Sequence, residues 1–152
     1  MSDASSRQGS IIDKPFSEFT LDELHAIMRL RVDVFVVEQA CAYSELDGRD
    51  DEETTRHCWI LEDGAIAAYA RRLEDDGVAR IGRVVTAPKH RGHGHAKRLV
   101  EHLTKTHRGP IILDAQSNLV EWYESLGFVR DGEEFIEDGI PHIPMRGIGE
   151  MP

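Results

Sequence analysis

Apolar positions along this chain fall into two rhythms, one helical and one alternating. Leu24, Ile27, Met28, Arg31, Val32 and Phe35 recur at helical spacing, with Arg31 lying in the apolar phase. Thr20 and Glu23 ahead of them form a capping-box pattern, so the spacing predicts a helix from Thr20 to about Glu38 or Gln39. A second helical stretch starts at His95, where Ala96, Leu99, Val100 and Leu103 share one face. It stops at His107–Pro110, where Gly and Pro intervene. A third places Leu119, Trp122, Tyr123 and Leu126 together, with Asn118 as its cap and Gly127 as its C-terminal stop.

Between the first two helices the rhythm is that of strands. "HCWILE", Asp63-Gly64, "AIAAYARRLE", Asp75 to Gly77 and "VARIGRVVTA" read as an antiparallel meander with short turns. "IILDA" (Ile111 to Ala115) reads as a buried strand, and Ile11 to Phe16 as a short first strand. After Gly127 two strand-like pieces are split at "EDGIP". Tyr43 to Arg56 is an acidic loop in which Gly48 comes too early for a calcium-binding loop. The order is strand, helix, three strands, helix, strand, helix, two strands. That predicts an α/β fold with a mixed, mostly antiparallel sheet flanked by helices. Nothing in the composition cuts the chain, so one domain over 11–149 is expected behind a flexible polar tail, 1–10.

Charge narrows the partners. The 152 residues carry a formal net charge of −10, which argues against nucleic-acid binding. No apolar run approaches a bilayer span, and the N-terminus lacks a basic segment followed by an apolar one, so no membrane association and a cytoplasmic location are expected. Cys41 and Cys58 form no C-x-x-C pair and read as inert thiols. Within this acidic chain, residues 89–98 hold Lys89, Arg91, Lys97 and Arg98 and no acid. Such an island suits an anionic cofactor, and the acidic remainder suits a cationic acceptor or simply solubility.

The island lies between a strand and a helix, in "KHRGHGHAKRLVEHL". The first N–H groups of a helix lack internal partners and sit at the positive end of its dipole, which makes them phosphate ligands. Gly92 and Gly94 let the backbone turn and approach an anion. The string is neither a P-loop nor a dinucleotide fingerprint, because Lys97 occupies the third glycine position. His90, His93 and His95 do not share one helical face, and no Cys or acid joins them, so no metal is expected.

"RGHGHA" matches R-x-x-G-x-A and resembles the pyrophosphate loop of the GCN5-related N-acetyltransferases, the GNAT superfamily. "NLVEWYESLGF" is similar to that family's later helix, with a Tyr ahead of a Gly-Phe. "RLRVDVFVVEQACAYSELDGRDDE", "IGRVV" and "FIEDGIPHIPM" resemble the ElaA-like branch, so the likeness spans roughly residues 20 to 147. It implies a single-domain GNAT (acyl-CoA N-acyltransferase) fold and acetyl-CoA as cosubstrate. It also implies direct acetyl transfer, in a ternary complex, to a primary amine of a small-molecule or peptide acceptor. By the same resemblance, the backbone of Arg91, Gly92, His93, Gly94, His95 and Ala96 would hold the pyrophosphate. Val84, Val85 and Thr86 would pair with the pantetheine arm, Asn118 would lie near it, and Tyr123 would be general acid to the leaving thiolate. Glu38, His57 and His142, all within the span of the ElaA-like resemblance, are candidates for the base.

Each residue also has a structural reading. Tyr123 can be core, Asn118 a cap, Glu38 a solvated helix end, and His57 and His142 hydrogen-bonding groups. A non-catalytic CoA-binding module acting as sensor or interaction protein is the rival function, since fold alone does not grant activity. A hydrolase lacks any G-x-S-x-G string. The identity of the amine is open, and so is the choice between monomer and homodimer.

Overall fold

The computed structural model describes residues 9–40 and 45–149. The sheet runs in the order β1-β2-β3-β4-β5-β8-β6, with β7 paired to β8 off that path. β1 (Ile11–Lys14), β2 (Arg56–Glu62), β3 (Ala65–Asp75) and β4 (Val78–Thr86) are antiparallel neighbours. β5 (Pro110–Gln116) joins β4 in parallel and β8 (Ile140–Ile148) in antiparallel. The sheet is therefore mixed and mostly antiparallel, as the pattern predicts. The C-terminal region holds three strands rather than two, because β6 (Val129–Arg130) and β7 (Phe135–Glu137) each pair separately with β8.

Alternation along the strands builds two cores. Cys58 and Ile60 on β2, Ala68 and Ala70 on β3, and Ala79 and Ile81 on β4 face α2 (His95–Lys105) and α3 (Val120–Ser125). The small residues let α2 lie close, and its Leu99, Val100 and Leu103 are completely buried. Each such side chain contributes about 1.5–3 kcal/mol by leaving water. On the opposite face Trp59, Tyr69 and Val85 pack against Ile27 and Val34. Those two belong to α1 (Leu21–Arg31) and its continuation Val32–Glu38.

The Thr20–Glu23 capping box is formed at both hydrogen bonds, 3.0 and 2.9 Å. The helix then reaches Glu38 as expected, but as a widened π-type turn in which Gln39 N–H donates to the Val34 carbonyl. The expected Asn118 cap is not formed. Ser117–Leu119 is a separate 3-10 turn, Leu119 takes the cap position of α3, and no side chain caps that helix. Gly127 does end it, with φ 97°. The tail expected over 1–10 lies outside the described residues up to residue 8, and Gly9 is already docked, accepting a 3.0 Å hydrogen bond from Arg98. Cys41 and the first two residues of the acidic loop also lie outside the described residues. No helix among the described residues is long and apolar enough to cross a membrane.

Candidate active site

β4 and β5 pair only at Ala79–Ile111 and Arg80–Ile112. Beyond Arg80, β4 stays with β3 while β5 stays with β8, so the two strands part. The gap is a cleft of about 680 Å³, walled by Gly82, Arg83 and Val84 of β4, Asp114 and Gln116 of β5, Tyr123 of α3 and His142 of β8. Phe35 and Gln39 of the π-type turn close one side. Gln39 Oε1 accepts a 3.5 Å hydrogen bond from Gln116 Nε2. Past Arg80, no described strand pairs with the β5-facing edge of β4. Such an edge can take an extended ligand as an added strand.

Within the cleft wall, β4 carries a bulge. Its register with β3 shifts between Tyr69–Val85 and Arg71–Gly82, and Arg83 has φ 52°. A bulge leaves its extra residue out of the ladder and re-aims the backbone. Val84 borders the cleft, whereas the Val85 side chain is buried on the α1 face.

The chain leaves β4 at Thr86, passes through Pro88–His90, and enters α2 through Gly92 (φ 84°) and Gly94 (φ 78°). A Cβ at either glycine would meet nothing within 4 Å, so the requirement is the left-handed backbone rather than space. Gly94 is the cap residue of α2 and makes no side-chain cap bond to the first-turn N–H groups. The Arg91 guanidinium turns away from this turn and donates to both oxygens of Glu38 at 2.8 and 3.1 Å. Glu38 therefore clasps the loop to the end of the π-type turn.

The residues expected as the base separate in space. His57 is fully buried, with Nδ1 2.6 Å from the Tyr69 hydroxyl and Nε2 2.8 Å from the Asp50 carbonyl. A carbonyl only accepts, so Nε2–H donates and Nδ1 accepts from Tyr69. Burial pushes the imidazole pKa below its usual range and keeps it neutral. Both nitrogens are committed inside the protein. Glu38 borders a different, largely apolar hollow beside α1.

His142 lies in the cleft wall with Tyr123. Its Nδ1 is 2.8 Å from the Ile140 carbonyl and must donate there, which leaves the Nε2 lone pair unprotonated in the neutral ring. Phe135 stacks on the imidazole at 5.8 Å. Tyr123 is 7% exposed, and burial pushes its phenol pKa up to about 12, so the hydroxyl stays protonated at neutral pH. Asn118 is exposed.

A buried polar network missing from the sequence reading holds the far rim. Arg31 is completely buried; it bonds Glu45 through Nε and Asp50 at 2.8 Å through Nη1. Arg71 bonds Asp47 at 2.7 Å and Asp50 at 3.0 Å, and Arg83 bonds Glu45 at 3.1 Å. Burial works to raise the Asp47 and Asp50 carboxyls, but their guanidinium partners outweigh it and hold both below the usual range. Three guanidiniums meet three carboxylates, and the acidic loop is thereby pinned to the sheet. One signal was available: Arg31 in the apolar phase of a helix needs buried partners.

The Acetyltransferase (GNAT) domain family matches residues 22–148. The chain belongs to the GNAT family.

Within it, this GNAT chain is 48% identical over 128 residues to UPF0039 protein Rv2851c of Mycobacterium tuberculosis, covering 80% of the chain and 82% of that protein. The crystal structure of Escherichia coli ElaA superposes with a TM-score of 0.81 at 34% identity, covering 91% of the chain and 98% of ElaA. An acyl-CoA N-acyltransferase from Pseudomonas aeruginosa superposes with a TM-score of 0.80 at 40% identity, covering 91% and 99%. The ElaA-like branch and the single-domain GNAT fold follow, and the chain carries a domain of the acyltransferase class.

Proposed function

We propose that this GNAT domain transfers the acetyl group of acetyl-CoA to a primary amine by direct attack in a ternary complex. The observation that carries the reading is the unpaired edge of β4. It runs from a bulge facing Tyr123 and His142 to the uncapped start of α2. In this reading the N–H groups of Arg91 to Ala96 bind the pyrophosphate, and the Arg91–Glu38 pair holds the loop in shape. Val84, Val85 and Thr86 pair with the pantetheine arm through their backbone. The thioester carbonyl then meets backbone N–H donors near the bulge, where the developing oxyanion needs them.

The amine attacks the carbonyl carbon, a C–N bond forms and the C–S bond breaks. His142 Nε2 takes the proton lost by the amine, directly or through one water. The Tyr123 hydroxyl donates its proton to the leaving sulfur and regains one from solvent. Asp114, Glu137 and Asp138 border the same cleft, but Arg80 pairs with Asp114 at 3.0 Å and Arg49, Arg71 and Arg83 also line it, so its wall carries both signs of charge. His57 and Glu38 act in this reading as structural groups. Cys58 is buried and burial raises its thiol pKa well above the usual range, which supports transfer without an acyl-enzyme.

The test is Tyr123→Phe with an acetyl-CoA consumption assay over an amine panel and calorimetric CoA binding. Turnover should fall about 100-fold or more, with CoA affinity within about twofold of the parent. Unchanged turnover removes Tyr123 from the chemistry. CoA binding without turnover of any amine by the parent protein favours the non-catalytic module instead.

A further inference from the structure

The loop histidines, which share no helical face in sequence, converge in space on an acid from another strand. Glu62 is the last residue of β2. Its Oε2 lies 2.7 Å from His95 Nε2, 3.0 Å from His90 Nδ1 and 3.9 Å from His93 Nδ1. Ligand atoms of Glu62, His93 and His95 all lie within 4.8 Å of one another. The expectation that no acid joins these histidines is thus overturned by strand pairing, which carries Glu62 to the start of α2.

We propose that Glu62, His93 and His95 form a binding site for a late first-row divalent transition ion of the Zn²⁺ class. Two imidazole nitrogens and one carboxylate oxygen suit zinc, whereas calcium and magnesium prefer all-oxygen sets. Zinc ligands at about 2.0–2.2 Å in a tetrahedron lie about 3.3–3.6 Å apart. The distances from Glu62 to the two histidines, 2.7 and 3.9 Å, bracket that spacing.

His95 is 2% exposed and held by packing, while His93 is 52% exposed and can rotate to close the gap. His90 reaches the same carboxylate oxygen and orients it. A single hydrogen bond from His95 would suffice to tie α2 to β2; three imidazoles gathered on one carboxylate exceed that need. The bound ion would staple the end of β2 to residues 93–95 through their side chains, whereas the pyrophosphate contacts proposed for the same loop use its backbone N–H groups.

The test uses the full chain without an affinity tag, stripped with a chelator and titrated with Zn²⁺ and, as spectroscopic probe, Co²⁺. One equivalent should bind, the melting temperature should rise, and cobalt should show visible d–d bands. His93→Ala, at an exposed position, and Glu62→Gln should each weaken binding about 10-fold or more and remove the cobalt bands. His102→Ala, at a later α2 position whose ring pairs with Asp13 of β1, should bind as the parent does. No saturable binding by the parent, or binding that survives both substitutions, overturns the site. CoA binding is measured on the same proteins. Absent metal binding with intact CoA binding overturns the metal site alone, and leaves the acetyl-transfer reading standing.

Discussion

Arg31→Met removes a buried charge while keeping most of the side chain's length, so it isolates the electrostatic role of the network. Arg31 is completely buried, and its guanidinium serves Glu45 and Asp50. Removing one partner of a buried ion pair costs about 3–5 kcal/mol, because the remaining charge is left in a poorly solvated place. Here Asp50 keeps Arg71 at 3.0 Å and Glu45 keeps Arg83 at 3.1 Å, so the cost belongs at the lower end, about 3 kcal/mol. At about 2–4 °C per kcal/mol for a domain of this size, the melting temperature should drop about 6–12 °C at neutral pH.

The sign of the pH dependence follows from the aspartates. Their folded pKa values are depressed, so the stability they contribute is present above the unfolded carboxyl pKa near about 4 and is lost as pH falls below it. In the variant, Asp50 loses one of the two guanidiniums that depress it and keeps Arg71. The difference in melting temperature between parent and variant should therefore shrink from pH 7 toward pH 3. Calorimetric melts across that range decide the matter. A drop under about 3 °C at neutral pH, or a difference that stays constant with pH, would refute a charge-based role for Arg31.

Other substitutions probe the site and its supports. Gly94→Glu should weaken CoA binding about 10-fold or more by calorimetry. It puts a carboxylate at the uncapped α2 start and a side chain on a φ of 78°, and unaltered affinity would remove this loop from cofactor binding. His142→Ala should lower kcat/KM about 100-fold with CoA affinity retained; an unchanged kcat/KM would place the base elsewhere. Thr20→Ala, which removes one half of the capping box, should cost about 1 kcal/mol in denaturant unfolding and leave turnover unchanged.

The amino-acid order by itself determined the elements whose causes are local. The Thr20–Glu23 box sets where α1 begins, Asp63-Gly64 and Asp76-Gly77 turn the meander, and Leu99, Val100 and Leu103 give α2 its buried face. Gly92 and Gly94 likewise declare a turn into a helix without any knowledge of the fold. Asn118 misled because a cap depends on the backbone path leading into the helix, and that path is a 3-10 turn set by β5. The parting of β4 from β5, and with it the cleft that Tyr123 and His142 both line, depends on pairings between residues far apart in the chain.

The same holds for charge. Residue types showed acids and bases, but only the tertiary structure decided that Arg31 meets Glu45 and Asp50, that Arg91 meets Glu38, and that three histidines meet Glu62. A side chain's chemistry is carried by its own residue, whereas its partners and its access to water are properties of the packed sheet and helices. His57 and His142 are the same residue type within the span of one family resemblance. Burial closes one into a hydrogen-bonded network, and the strand gap leaves the other facing the cleft.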